Sequence, residues 1–209
     1  MAREFYTPID LLNTVGTNAL PEGSIRWNNG DGPLEIGLVG GNVALQVGQE
    51  EVSRVLNPDS ISNISEGSVV YITGAQGQRP TVALASASSE AASSKTFGVA
   101  TETILAQEEG YVTTFGLVRG LNTLAFTDGD ALWLSPTTPG GFTSTKPQAP
   151  NHGVFIGWVV RSHGTSGSIF VNIQNGYELD ELHDVNLTNP ETNDVLTYNA
   201  SQCIWVNAA

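Results

Sequence analysis

The chain carries the same succession of three strand-like segments twice. The first set comprises Gly67–Gly74, Phe97–Thr101 and Gly110–Gly116, and the second comprises Gly129–Ser135, Ile156–Val160 and Gly167–Ile173. The offset between matching segments falls from 62 residues to 59 and then to 57, so their order persists while the loops shorten. Two copies are too few for a solenoid, in which each unit needs neighbours to bury its faces. The pattern therefore predicts an all-β protein with a duplicated body that forms a β-barrel or a sandwich.

The charge of the chain excludes several classes of partner. Its 209 residues include 21 acidic and 8 basic ones, for a net charge of −13, and the bases are scattered singly. Nucleic acid binding requires clustered lysine and arginine, which neutralise phosphates and release counterions. We therefore expect no nucleic acid partner, and the same charge disfavours an anionic membrane surface.

Cysteine usage and hydropathy bear on where the chain folds. Cys203 is the only cysteine, so an intrachain disulfide is impossible and stability must come from packing. The N-terminus lacks a basic start followed by an apolar run, and no apolar stretch approaches the roughly 20 residues of a membrane span. We expect folding in a cytoplasm, without membrane insertion.

The composition along the chain predicts four segments: 1–22, 23–65, 66–177 and 178–209. The first is a short anchor with an apolar patch formed by Phe5, Tyr6, Pro8, Ile9, Leu11 and Leu12. This patch is either a strand that lies on the main body or a segment that docks onto another subunit. The second segment is rich in glycine and in hairpin signals, with Asn29-Gly30 and Asp31-Gly32 supplying the turn.

Alternation of apolar residues places strands in the body and at the C-terminus. The predicted strands of the body are Val69–Thr73, Thr81–Leu84, Phe97–Ala100, Gly110–Leu117, Ala131–Leu134, Phe155–Arg161 and Ser168–Ile173. The stretch Ser86–Thr96 is interpreted as a mobile loop and Pro136–Pro150 as a long irregular loop. The C-terminal module is predicted to contain two helical turns over Glu178–Val185, followed by a hairpin of two short strands.

Residues with catalytic or ligand-binding chemistry are few. The sequence contains none of the nucleophile-elbow, zinc-protease or phosphate-loop motifs, and Cys203 has no histidine near it in sequence. We therefore predict that the protein is not an enzyme and has no cofactor or metal. One possible ligand or ion site remains, formed by Glu178, Asp180, His183 and Asp184, because calcium prefers gathered oxygen ligands. Alternatively, these acids form a solvated helical face, or three copies of His183 meet on a symmetry axis.

The four tryptophans are possible sugar-stacking residues, because the apolar faces of sugars stack on aromatic rings. Trp133 and Trp158 lie inside apolar strand runs and are predicted to be core residues. Trp205 is predicted to pack against the terminal hairpin. A glycan site in the loops stays open, and the sequence does not locate it.

Several stretches resemble tailed-bacteriophage tail-fibre-like virion proteins. The start Phe5–Leu12 resembles their virion-docking segment, and Gly23–Glu50 and Gly67–Leu84 are similar to segments common in such proteins. The segment Glu178–Val185 with the final two strands resembles their C-terminal module. One departure is the last turn, which carries Cys203 where a glycine is usual.

The resemblance implies a non-catalytic homotrimer built into a virion. The expected function is that of a tail-fibre or fibre-adaptor protein involved in host attachment, which assembles in the host cytoplasm with other virion proteins. The alternatives are a capsid head fibre or decoration protein, and an adhesin that binds a host-surface glycan. A hydrolase of surface polysaccharide is a further alternative, because glycosidases require only a suitably spaced pair of carboxylates.

Overall fold

β-Strands make up 45% of the residues that the structure describes and helices 4%, in agreement with the predicted all-β class. The structure is a computed structural model that describes residues 13–14 and 19–208. Its strands, numbered in chain order, are β1 (Asn13–Thr14), β2 (Ile25–Asn28), β3 (Leu34–Gly37), β4 (Ala44–Gln46), β5 (Glu50–Leu56), β6 (Val69–Gln76), β7 (Arg79–Leu84), β8 (Thr96–Ala100), β9 (Glu109–Leu121), β10 (Ala131–Leu134), β11 (Phe142–Thr143), β12 (Phe155–Arg161), β13 (Gly167–Gln174), β14 (Val185–Asn186), β15 (Val195–Asn199) and β16 (Ile204–Ala208). The chain divides into two compact units, one ending at Asn175 and the other beginning at Gly176. None of the helices within the described residues is long and apolar enough to cross a membrane.

A small four-stranded sheet precedes the main body. Its order is β1-β2-β3-β4, with β1 parallel to β2 and the other pairs antiparallel. The predicted turn after β2 is tight, since the Gly32 N–H donates to the Asn28 carbonyl oxygen at 2.8 Å. The positive φ of +81° at Gly32 explains the glycine there.

Five strands form a closed barrel in the order β9-β5-β7-β6-β8, because β8 also pairs with β9. Its interior is filled by small and branched side chains, as is usual for a barrel of so few strands. These residues are Val55, Ile64, Val70, Val82, Ala100, Ile104 and Val112, all at most 3% exposed.

The sheet continues from the barrel through β9, with the order β9-β13-β12-β10-β11. The strand β9 is 13 residues long, so its first part pairs within the barrel and its last part pairs with β13. A second core covers one side of this extension, and it contains Val118, Leu132, Leu134, Val154, Ile156, Val159, Ile169 and Val171.

The two predicted sets of strands pair in the same order. The first set forms β6-β8-β9 and the second forms β10-β12-β13, and one further strand, β7 or β11, pairs with the first strand of each set. Equivalent turns make equivalent hydrogen bonds: the Gly67 N–H donates to the Ala100 oxygen, and the Gly129 N–H donates to the Val159 oxygen, both at 2.8 Å. Among the described residues only the first set closes into a barrel, so the predicted repetition does not extend to two barrels.

Two predictions about the body need correction. The stretch predicted as a loop between β7 and β8 contains one turn of α-helix, Glu90–Ser93. It forms because the Ser94 N–H donates to the Glu90 oxygen while the Ser93 side chain is buried. The long loop over 136–150 contains the two residues of β11, which pair with β10.

The C-terminal unit is a three-stranded sheet in the order β14-β16-β15. The predicted hairpin is present as β15 and β16. The prediction of two helical turns before it is wrong: a 3₁₀ turn covers only Leu179–Glu181, and the short strand β14 follows. Strand pairing of Val185 with Trp205 competes with helix propagation and ends the turn.

We expect that Cys203→Gly stabilises the hairpin by about 1 kcal/mol, because the left-handed backbone favours glycine. Cys203 has a φ of +58° in the turn before β16, a conformation that glycine adopts without strain. Amide hydrogen exchange of β16 measures the gain. Cys203→Ser keeps the side-chain size and the strained backbone, so it serves as the control without gain. Equal protection in both variants would contradict this explanation.

Candidate interaction surface

A row of aromatic rings runs across the sheet extension, on the side away from its core. In order, the rings belong to Phe115, Phe170, Trp158, Phe155 and Trp133, and they come from β9, β13, β12 and β10. Successive ring centroids lie 5.2, 6.4, 4.8 and 5.3 Å apart. We call these five residues the aromatic face.

The strand register explains how the rings meet. Trp158 pairs with Phe170 across β12 and β13, and Trp133 pairs with Phe155 across β10 and β12. Phe155 and Trp158 lie three residues apart, where strict alternation would place them on opposite sides. A register shift between Phe155 and Gly157 brings both rings to the same side.

The prediction that Trp133 and Trp158 are core residues is wrong. Trp158 is 40% exposed and Trp133 is partly exposed, whereas Leu132 and Ile156 beside them are fully buried. A continuous apolar run usually indicates a strand that is buried on both faces. The run Ile156–Val160 therefore gave no indication that Trp158 faces outward. Phe115 is also exposed, at 44%. An exposed apolar patch of this kind is typical of an interaction site.

Positive side chains border the aromatic face. The Lys146 ammonium lies 5.2 Å from the Trp133 ring centroid. Two residues from Phe170 along β13, Arg161 and Arg119 lie on either side of Ser168 in the strand register. Two acids lie nearby: Glu51 pairs with Phe115, and the Asp31 carboxylate lies 3.5 Å from the Arg119 guanidinium. The border therefore carries three bases and two acids, in contrast to the strongly negative chain.

A buried polar cluster lies where the small sheet meets the barrel. Glu35 is 1% exposed, and it accepts hydrogen bonds from Arg26 and from the Asn28 amide. Glu50 is 8% exposed, and its carboxylate accepts a hydrogen bond of 2.7 Å from the Gln46 N–H.

Burial raises the pKa of Glu50 to about 7, because a carboxylate loses its hydration there. The Gln46 N–H and the Arg119 charge oppose the rise, while the Glu35 charge adds to it. A cavity of about 20 Å³ adjoins Glu50, large enough for one water molecule. Glu50 is therefore a buried group that titrates near neutral pH.

The structure describes only some of the residues predicted as sites. The proposed docking residues Phe5, Tyr6, Pro8, Ile9, Leu11 and Leu12 lie outside the described residues. Of the possible ion site, Glu178 caps the 3₁₀ turn and Asp180 lies within it. The His183 side chain is 97% exposed, and its Nδ1 lies 3.9 Å from an Asp184 oxygen. An ion at these four residues stays a prediction.

The C-terminal unit carries a second apolar surface. Tyr198 and Trp205 pair across β15 and β16, with ring centroids 5.4 Å apart, as predicted for Trp205. Leu196 lies on the same side as Tyr198, two residues earlier. Leu179, Leu182, Val185, Leu196 and Trp205 line an open cavity of about 280 Å³. We call these five residues and Tyr198 the C-terminal apolar side.

No protein-family model, curated protein or solved structure matches this chain.

Proposed function

We propose that this protein is a structural component of a tailed-phage virion, a homotrimeric tail-fibre or fibre-adaptor protein involved in host attachment. The aromatic face is the observation that carries this proposal. Each strand that carries one of the five rings is hydrogen-bonded to a neighbouring strand on both sides, so the rings form a rigid surface. Such a surface suits permanent contact with another protein. The resemblance of the sequence to tail-fibre-like proteins supplies the kind of particle.

Two further features support an assembly role. The equal pairing order of the two strand sets supports a duplicated body, which enlarges the sheet without adding a catalytic cleft. The C-terminal apolar side exposes Trp205 at 41% and Tyr198 at 53%, although large apolar residues favour burial. Both surfaces gain stability when other chains cover them, and cyclic symmetry achieves this with identical copies.

In this proposal the segment 1–22 docks the trimer onto the virion, through the patch that begins at Phe5. We expect that a chain starting at residue 13, which lacks this patch but keeps β1 and the buried Leu20, folds and forms trimers but no longer joins the particle. The measurement is antibody detection of the protein on purified particles, for the full chain and the shortened one. Normal incorporation of the shortened chain would contradict the assignment of the anchor. The position of the full chain on the head or the tail of the particle distinguishes a tail fibre from a head fibre or decoration protein.

A glycan-binding adhesin is the second candidate, and the aromatic face favours it. Exposed tryptophan rings offer flat apolar surfaces on which sugars stack. The negative chain suits a neutral sugar rather than an acidic one. A glycan array tests this function: binding that is lost in Trp158→Ala would support it, and absence of any binding would leave the structural role.

A further inference from the structure

The C-terminal unit lacks a core of its own. None of its described residues, 176–208, is buried, although three strands and several large apolar side chains are present. A sheet of this size needs its apolar side covered in order to be stable. The unit begins at Gly176, and a surface that covers its exposed apolar side chains would stabilise it.

The charge of this unit restricts what covers it. It contains six acids and no lysine or arginine: Glu178, Asp180, Glu181, Asp184, Glu191 and Asp194. Asp184 itself borders the apolar cavity. Two such units face to face would bring like charges together, which is unfavourable at close range.

The aromatic face has the opposite character. Three bases and two acids border it, for a net charge of +1: Lys146, Arg119 and Arg161 against Glu51 and Asp31. Two aromatic faces packed together would bring Lys146 and Arg161 of both copies close, because Asp31 already pairs with Arg119. Contact between an aromatic face and a C-terminal apolar side avoids both repulsions, because bases then meet acids.

We infer that the C-terminal apolar side of one copy packs on the aromatic face of a second copy. This contact rests on the proposed self-assembly and specifies how it occurs. The contact is head-to-tail, so each copy offers one surface of each kind. Repetition with a rotation of 120° closes a ring of three and covers every such surface.

Two variants of the full chain test the contact. Trp158→Ser with Phe170→Ser alters only the aromatic face, and Leu196→Ser with Trp205→Ser alters only the C-terminal apolar side. We expect the wild type to have three times the 22.1-kDa chain mass in sedimentation equilibrium, and each variant alone to be monomeric. An equimolar mixture is expected to form a dimer, because one intact surface of each kind remains.

The mixture separates the possible arrangements. A wild-type monomer, a variant that keeps the trimer mass, or a mixture that stays monomeric would each overturn the head-to-tail contact. Circular dichroism of each variant checks its strand content. Failure to find the protein on phage particles would remove the virion assignment and leave this contact standing.

A charge change tests the same contact without removing a ring. Arg161→Glu is expected to raise the dissociation constant at least about tenfold, since it places an acid opposite the acidic unit. Lys95→Glu makes the same change in the loop after the one-turn helix, and we expect little effect there. Equal weakening by both variants would show that net charge alone governs association, and would overturn the assigned surface.

Discussion

Replacing Gly116 by alanine is expected to destabilise the fold by about 4 kcal/mol. Gly116 lies in β9, where it pairs with Glu50 of β5 on one side and with Val171 of β13 on the other. Its φ is +104°, a conformation that side chains disfavour. A Cβ atom there would lie 2.2 Å from the Gln49 carbonyl oxygen, so the main chain of the barrel has to move.

Thermal unfolding followed by circular dichroism measures this effect. A loss of that size lowers the midpoint of a chain of this length by about 10 °C. The matched control is Gly129→Ala, because Gly129 has a φ of +88° and no atom within 4 Å of the added Cβ. We expect a loss of only about 1 kcal/mol in the control. Equal losses in the two variants would show that the backbone conformation alone, and not the close approach of β5, requires glycine.

Local sequence pattern was sufficient to predict every strand between residues 66 and 177 except the two-residue β11, but it did not predict the barrel strand β5. Alternation and turn residues depend on neighbours along the chain, so β10 and β12 appear at their predicted bounds. The final hairpin was predicted for the same reason. The pairing of β8 with β9, which closes the barrel, was not predicted. It depends on how several strands pair with one another, and the pattern within any one strand does not show this.

The aromatic face was not predicted, and the register shift at Gly157 is the reason. Alternation assigns Phe155 and Gly157 to one side and Trp158 to the other, whereas the shift places Phe155 and Trp158 together. The available signal was Gly157 itself, because glycine inside a strand often marks a bulge or a close approach. A Cβ there would collide with the Phe170 carbonyl oxygen, which explains the absence of a side chain.

The short C-terminal helix was over-predicted for a related reason. Leu179 and Leu182 lie three residues apart, which suits one face of a helix. The same spacing allows both side chains to line the cavity beside Trp205 from a 3₁₀ turn. Spacing over a single turn does not distinguish these geometries, because helix periodicity becomes informative only over several turns.

The buried cluster at Glu50 gives the chain a stability that depends on pH. In the unfolded chain a glutamate has its ordinary pKa of 4.5, whereas in the folded chain the pKa of Glu50 is raised to about 7. Between these values the folded state keeps a proton that the unfolded state releases. The free energy of unfolding therefore falls as the pH rises from about 4.5 to about 7, and this contribution is constant above that range.

We expect Glu50→Gln to remove this fall and to raise the free energy of unfolding at pH 8 by about 3 kcal/mol. The amide oxygen still accepts the Gln46 N–H, and no charge needs to be buried next to Glu35. Urea unfolding at pH 5 and pH 8 measures the free energy of unfolding of wild type and variant. Subtracting one from the other at each pH cancels the contributions of other titrating groups such as Glu66. Glu51→Gln at the exposed neighbouring position is the control and should leave the profile unchanged. If the free energy of unfolding changed with pH in the same way in wild type and in Glu50→Gln, Glu50 would be ionised in the folded chain at neutral pH. The Arg119 charge would then compensate that of Glu50.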